Sequence, residues 1–172
     1  QMARLLGIDD ATFRGGARAA VGDVTGDGIN DLVVSAGFGG GPRVSVWDGA
    51  ALRAGQMVRV ADFFAFESSL RNGAYVSAAD LDGDGFDEVV VGAGPGGAPR
   101  VTAFNGRALI AGLASPVLSF YAGDVVDRNG ARVAASDVDK DGYPDLIASS
   151  GSVVTVYGGK TLFTGNPPPV LF

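Results

Sequence analysis

The nine residues "DLDGDGFDE", 80–88, place five acids and two glycines in one short stretch. Carboxylates this close repel one another unless a cation lies among them. The pattern recurs as "DVTGDGIND" at 23–31 and "DVDKDGYPD" at 137–145. Counted from the first aspartate, side-chain oxygen stands at positions 1, 3, 5 and 9 of each loop. These are Asp23, Thr25, Asp27 and Asp31, then Asp80, Asp82, Asp84 and Glu88, then Asp137, Asp139, Asp141 and Asp145. Position 6 is always glycine, which permits a sharp turn, and position 7 (Ile29, Phe86, Tyr143) leaves a backbone carbonyl free. Hard oxygen ligands in this spacing suit calcium, up to three ions per chain, better than magnesium with its stricter octahedron.

An EF-hand loop opens in the same way but closes on a bidentate glutamate at position 12. Here that position holds Val34, Val91 and Ala148, and the flanks are valine-rich. The acid at position 9 must therefore close each site. Thr25 in place of a carboxylate predicts weaker binding in the first loop than in the third. In the second loop Glu88 and its neighbour Asp87 compete for the last ligand position. The plainer reading of any one such loop is a solvated aspartate-glycine turn. Three copies in phase argue against it.

The phase is strict. Gly16, Gly73 and Gly130 stand 57 residues apart, as do Asp23, Asp80 and Asp137, so the 172 residues hold three units, 1–57, 58–114 and 115–172. In each unit a short apolar segment such as Val76–Ala79 enters the acidic loop and a second, such as 89–91, leaves it. A third, such as 101–104, follows a glycine-rich link. The third unit lacks four residues where the others read "FGGGPR" and "PGGAPR", which predicts a shorter hairpin there. The third segments end in "DG" (48–49), "NG" (105–106) and "GG" (158–159), pairs suited to a two-residue type I′ turn. Fourth strands are predicted in "VRVADFFAF" (58–66) and "PVLSFYA" (116–122), their aromatics packing between sheets. The predicted fold is all-β: a β-propeller of four-stranded antiparallel blades, three blades per chain.

Composition narrows the function. With 47% apolar residues the chain can build a core, and 28 glycines with short valine-rich runs fit strands and tight turns. Thirteen basic against 19 acidic residues give a net charge of −6, a poor match to nucleic acid. Three dications would supply +6. No cysteine and no histidine are present, which removes thiol nucleophiles, thiolate zinc sites and histidine-dependent triads. No apolar run is long enough to insert into a membrane, and residues 1–20 lack the apolar core of a signal peptide.

"FRGGARAAVGDVTGDGINDLVV" and "GAGPGGAPRV" resemble the FG-GAP repeats of integrin α-subunit propellers and, more closely, their bacterial relatives. Gly96, Gly97, Ala98 and Pro99, like Phe38, Gly39 and Gly40, echo the motif that names the family. The resemblance covers nearly the whole chain. It implies propeller blades, and calcium held by the aspartates of the D-x-D-x-D-G-x-x-D loop, from which Thr25 and Glu88 depart. Propellers of the integrin type close with about seven blades, whereas three leave apolar sheet faces open at both ends. A homo-oligomer closes such a ring: a dimer with six blades is favoured over a trimer with nine, unless the chain is a piece of a longer propeller. The closing "PPVLF" (168–172) aligns with "SPVLS" (115–119) and overlaps Gln1–Leu5 in the repeat frame, so a terminal strand of one chain can complete a blade of the next.

The remaining signals read structurally. "GFGGG" and "GPGGA" are followed by strands rather than by the helix a nucleotide loop requires. Arg14, Arg71 and Arg128 recur at one position and Arg43 and Arg100 at another; salt bridges between blades or hydrogen bonds to loop carbonyls explain them better than capture of an anionic sugar or a protein carboxylate. Trp47 aligns with Phe104 and Tyr157 and reads as core. The expected function is a non-catalytic, calcium-stabilised scaffold for adhesion or binding of a protein or glycan ligand, outside the cell where calcium is plentiful. The alternative is a lectin-like propeller. A polysaccharide-active enzyme is less favoured, because the acids left over, Asp9, Asp10, Asp62, Glu67, Asp124 and Asp127, form no repeated pair.

Overall fold

A computed structural model describes residues 4–164. Eleven strands form three antiparallel meanders. The first sheet takes β1 (Ala17–Gly22), β2 (Asp31–Ala36), β3 (Arg43–Trp47) and β4 (Arg59–Phe64) in that order, with helix α1 (Gly49–Arg53) between β3 and β4. The second repeats it with β5 (Ala74–Ala79), β6 (Glu88–Ala93), β7 (Arg100–Phe104), α2 (Gly106–Ile110) and β8 (Pro116–Tyr121). The third holds β9 (Arg132–Ser136), β10 (Asp145–Ser150) and β11 (Val153–Tyr157), then a 3-10 turn at Gly159–Thr161. The strand expected at 168–172 lies outside the described residues, as does most of Gln1–Leu5.

Valine supplies the strands and dictates the stacking. Every residue of β6 is buried, because the middle sheet is covered on both faces. Val89 and Val91 join Val33, Val44, Val46, Phe63 and Phe104 in a core against the first sheet. Val90 points the other way, into a core with Val101, Leu118, Phe120, Leu146 and Tyr157 against the third. The alternation of strand side chains thus becomes two cores, one on each side of a single sheet. The aromatics of the fourth strands lock adjacent sheets as expected: the Phe63 ring lies 4.7 Å from Phe104, and Phe120 lies 4.8 Å from Tyr157 in an edge-on pair. Trp47, the residue in the first sheet equivalent to Phe104, is buried with its indole N–H on Ser45 and the Arg59 guanidinium 4.6 Å over its ring.

The chain expected to turn sharply after its third strands does not. Asp48 and Asn105 are helix N-caps, their side chains accepting from the N–H of Ala51 (2.7 Å) and of Ala108 (3.1 Å). The glycines that follow are selected by close approach rather than by positive φ. A Cβ on Gly49 would sit 2.1 Å from the Asn30 carbonyl oxygen, and one on Gly159 the same distance from that of Pro144. The glycine-rich links form the expected hairpins, and the shortened third link is a two-residue turn at 151–152. In the two longer links, Gly39 donates to the Arg71 carbonyl (2.9 Å) and Gly96 to that of Arg128 (2.6 Å), so each link also docks the next unit.

Phe104 is 2% exposed and spans the interface between the first two sheets. Phe104→Ala is expected to cost about 3 to 5 kcal/mol, read as a lowered denaturant midpoint with an unchanged slope.

Candidate metal sites in the acidic loops

Each acidic loop joins the first two strands of its sheet, and the β-ladder decides where its last acid goes. The final cross-strand pairs are Gly22 with Asp31, Ala79 with Glu88 and Ser136 with Asp145. The position 9 acid is therefore both the first residue of a central strand and the floor of its loop. Asp31, Glu88 and Asp145 are 1%, 0% and 1% exposed. One oxygen of each accepts a loop N–H, from Thr25 (2.8 Å), Leu81 (2.9 Å) and Val138 (2.8 Å). The other is held from the start of the next element: Asp31 by the N–H of Gly49 (2.8 Å) and Asp145 by that of Gly159 (2.9 Å). Glu88, one methylene longer, instead takes the Asn105 side-chain amide at 2.9 Å.

The upper rim is built by position 1. Asp80 accepts the N–H groups of Gly83, Asp84 and Gly85, and Asp23 those of Asp27 and Gly28; Asp137 takes that of Gly142. The wrap needs left-handed backbone at position 6, where Gly28, Gly85 and Gly142 have φ of 82°, 86° and 92°. At position 4 the third loop uses Lys140 at φ 64° where the others have glycine.

Two sets of carboxylates converge so that ligand oxygens lie within 4.8 Å of one another: Asp80, Asp82 and Glu88, and Asp137, Asp139 and Asp145. These are positions 1, 3 and 9. The position 5 acids, Asp27, Asp84 and Asp141, lie outside the tight sets and accept the N–H of Ile29, Phe86 and Tyr143 at 2.8–2.9 Å. In the first loop Asp23 and Asp31 stand with Thr25, whose hydroxyl is buried without a hydrogen-bond partner. A buried hydroxyl beside Asp31 that forms no well-shaped hydrogen bond is an oxygen available to a cation. The donor sets fit a hard divalent ion.

Burial acts on these acids before any metal does. It raises the pKa of Asp31 and Asp82, and it pushes Glu88 up to about 8, helped by the charge of Asp82. The choice between Glu88 and Asp87 is resolved by direction. Asp87 faces the first sheet, where its carboxylate takes the Asp23 N–H (2.9 Å) while its own N–H donates to the Asp23 carbonyl (2.9 Å). It ties two loops together. The loops also stack: the Phe86 ring covers Gly26, where a Cβ would approach it to 2.7 Å, and Tyr143 lies beside Gly83.

Asn105 escaped the sequence reading, although an amide seventeen residues after the only glutamate at position 9 was a visible departure from Asp48 and Gly158. The repeated arginines all find acceptors within the chain. Arg14, Arg71 and Arg128 each turn back onto two carbonyls of their own loop. Arg100 bonds Glu67 at 3.3 Å, and Arg43 bonds Asp9 and Asp62.

Fold and loops together define an all-β repeat protein whose stacked antiparallel sheets each open on an acidic loop. FG-GAP-like repeats match residues 23–91 and an FG-GAP repeat matches 129–160. The chain belongs to the FG-GAP repeat family. It is 31% identical to integrin alpha-V of Gallus gallus over 81% of its own length and 15% of that protein's, so it spans a small part of that relative. Rhamnogalacturonan lyase YesW shares the fold: 82% of this chain superposes on 31% of the lyase with a TM-score of 0.55 and 17% identity.

Glu88 generates a pH prediction. With its folded pKa raised from 4.5 to about 8, the contribution of Glu88 to the stability of the metal-free chain is fully present below the lower value and is lost as pH rises through the upper one. A dication must displace the proton. Titration calorimetry of calcium at pH 7 in buffers of different ionisation enthalpy should show release of close to one proton, abolished in Glu88→Gln.

Proposed function

We propose that this chain is a calcium-stabilised segment of a β-propeller, non-catalytic, which displays a binding surface to a protein or glycan ligand outside the cell. The single observation that carries the metal reading is the pair of converging carboxylate triads, each floored by an acid 1% exposed or less. An anionic triad at the end of a β-ladder is destabilising alone and stabilising around a dication. Asp80, Asp82 and Glu88 would hold one ion and Asp137, Asp139 and Asp145 a second. Asp23, Asp31 and the Thr25 hydroxyl would hold the third, with the position 5 acids completing each set. The ion supplies charge neutralisation and rigid cross-linking of each loop; this chain's residues orient it and exclude water from below.

Kinship with an integrin supports both adhesion and a location outside the cell, and no described helix is long and apolar enough to cross a membrane. Against catalysis stands a donor set without histidine or cysteine, with most acids committed to loops and ion pairs.

Calcium that binds only the folded chain at 100 times its dissociation constant adds about 2.7 kcal/mol. Excess calcium should raise the melting temperature and EDTA should lower it. The calcium-dependent rise should shrink in each of Asp27→Ala, Asp84→Ala and Asp141→Ala, by less in the first than in the third. Affinity at the first loop should be weaker than at the third, since it offers one carboxylate fewer. A melting curve insensitive to EDTA, or equal affinities across the three loops, contradicts this account.

The outer ends of the stack carry exposed apolar side chains, Val21 (60%) on the first sheet and Val153 (61%) and Val154 (64%) on the third. Head-to-tail association covers both, with a dimer as the smallest closed ring. Light scattering at micromolar concentration with calcium should return twice the monomer mass; a monomer refutes the association.

A further inference from the structure

A cavity of about 310 Å³ lies between residues 7–13 and the outer half of the first sheet. Its walls bring together Asp9, Phe13, Arg43, Arg59 and Phe64. The repeat supplies an internal control, because the same place recurs 57 residues later between the first and second sheets. There the counterpart of Asp9 is Phe66, 8% exposed in the core beneath the guanidinium of Arg100. Arg59 has Pro116 as its counterpart, and Asp62 has Ser119. One position of the repeat packs an aromatic ring, and its copy holds a carboxylate beside an open space.

Position 66 lies between two sheets and position 9 on the outer face of the first, so exposure alone favours a polar residue there, but it does not dictate a carboxylate bridging two arginines. Asp9 bonds Arg43 at 3.0 Å and Arg59 at 2.8 Å, and its side chain stays 45% exposed. Asp62 bridges the same two arginines from behind. Those contacts hold Asp9 and Asp62 below the usual carboxylate range: for Asp9 chiefly the hydrogen bond from Arg59, for Asp62 the two arginines outweighing its burial. The result is a closed square of two carboxylates and two guanidinium groups, rigid and ionised.

The chemistry of the square selects a ligand class. The ionised groups in and behind the walls balance, Asp9, Asp10 and Asp62 against Arg43, Arg59 and Arg71, so the cavity has no net positive charge to hold a phosphate or a uronate. It presents planar carboxylate acceptors and guanidinium donors side by side, the arrangement that vicinal hydroxyl groups satisfy in pairs. Beside it Phe64, 51% exposed, and Phe13 offer ring faces to an apolar C–H surface. The volume sits at the lower end of small-ligand sites. We infer that this cavity is a binding site for a neutral saccharide, one end of a chain or a single residue of it.

The site is independent of the calcium loops, and the test keeps them apart. A printed array of neutral and uronic-acid oligosaccharides, probed with the full chain in calcium, should show binding to neutral members, and calorimetry then measures the best of them. Asp9→Phe, which places there the residue of the second repeat and removes the carboxylate, should weaken binding at least tenfold while circular dichroism shows the chain still folded. Phe64→Ala should weaken it as well. Binding to no neutral sugar, binding confined to the acidic members, or neutral binding that survives both Asp9→Phe and Phe64→Ala overturns the assignment.

Discussion

Carboxylates are forced together where each β-ladder ends, and the rest of the molecule is arranged around that repulsion. The first acid of a loop follows its first strand directly and the last acid begins its second, so antiparallel pairing itself brings positions 1 and 9 to one point. Burial raises the cost of charge on Asp31 and most of all on Glu88. Backbone N–H groups offset part of that cost by bonding to the carboxylates. They leave oxygens still converging, and those oxygens are the chemical capacity of the fold.

Repetition carries the arrangement from sheet to sheet. Asp87 clamps the second loop to the first, and Phe86 and Tyr143 stack over the loop of the preceding unit. The hairpin links do the same at the opposite edge by docking the next unit through backbone. Such contacts demand bare Cα atoms: a Cβ on Gly73 would lie 2.4 Å from the Gly37 carbonyl oxygen, and one on Gly92 2.1 Å from that of Ala131. The high glycine content thus serves both close approach between sheets and turns, thirteen of the described glycines having positive φ. Sites in neighbouring loops are mechanically linked through these contacts, so ordering one loop restrains the next.

Much of this was legible before any coordinates. The 57-residue spacing set the units, valine alternation located the first three strands of each, and the aromatic stretches at 58–66 and 116–122 marked the fourth. The candidate ligands followed from oxygen at alternate positions with glycine at position 6. The dipeptides at 48–49 and 105–106 misled because a residue pair suited to positive φ is equally suited to a helix cap followed by a close approach, and only a neighbouring backbone distinguishes them. Asn105 was invisible for a related reason. Its role exists because Glu88 overreaches by one methylene, a fact of distance rather than of pattern.

What the sequence by itself determined is periodic: strand content, the acidic loops with their order of oxygens, and the shortened third link, all consequences of local chemistry repeated at fixed intervals. Only the tertiary structure decided the relations between units, because they depend on which side chains from distant repeats reach the same space. It turned Asp87 toward the first sheet and left Glu88 in the triad. It showed the recurrent arginines satisfied by carbonyls and carboxylates at hand. It also revealed that Asp9, unremarkable in the chain, occupies a place where the next repeat buries Phe66, so that a cavity stands where a ring would otherwise be.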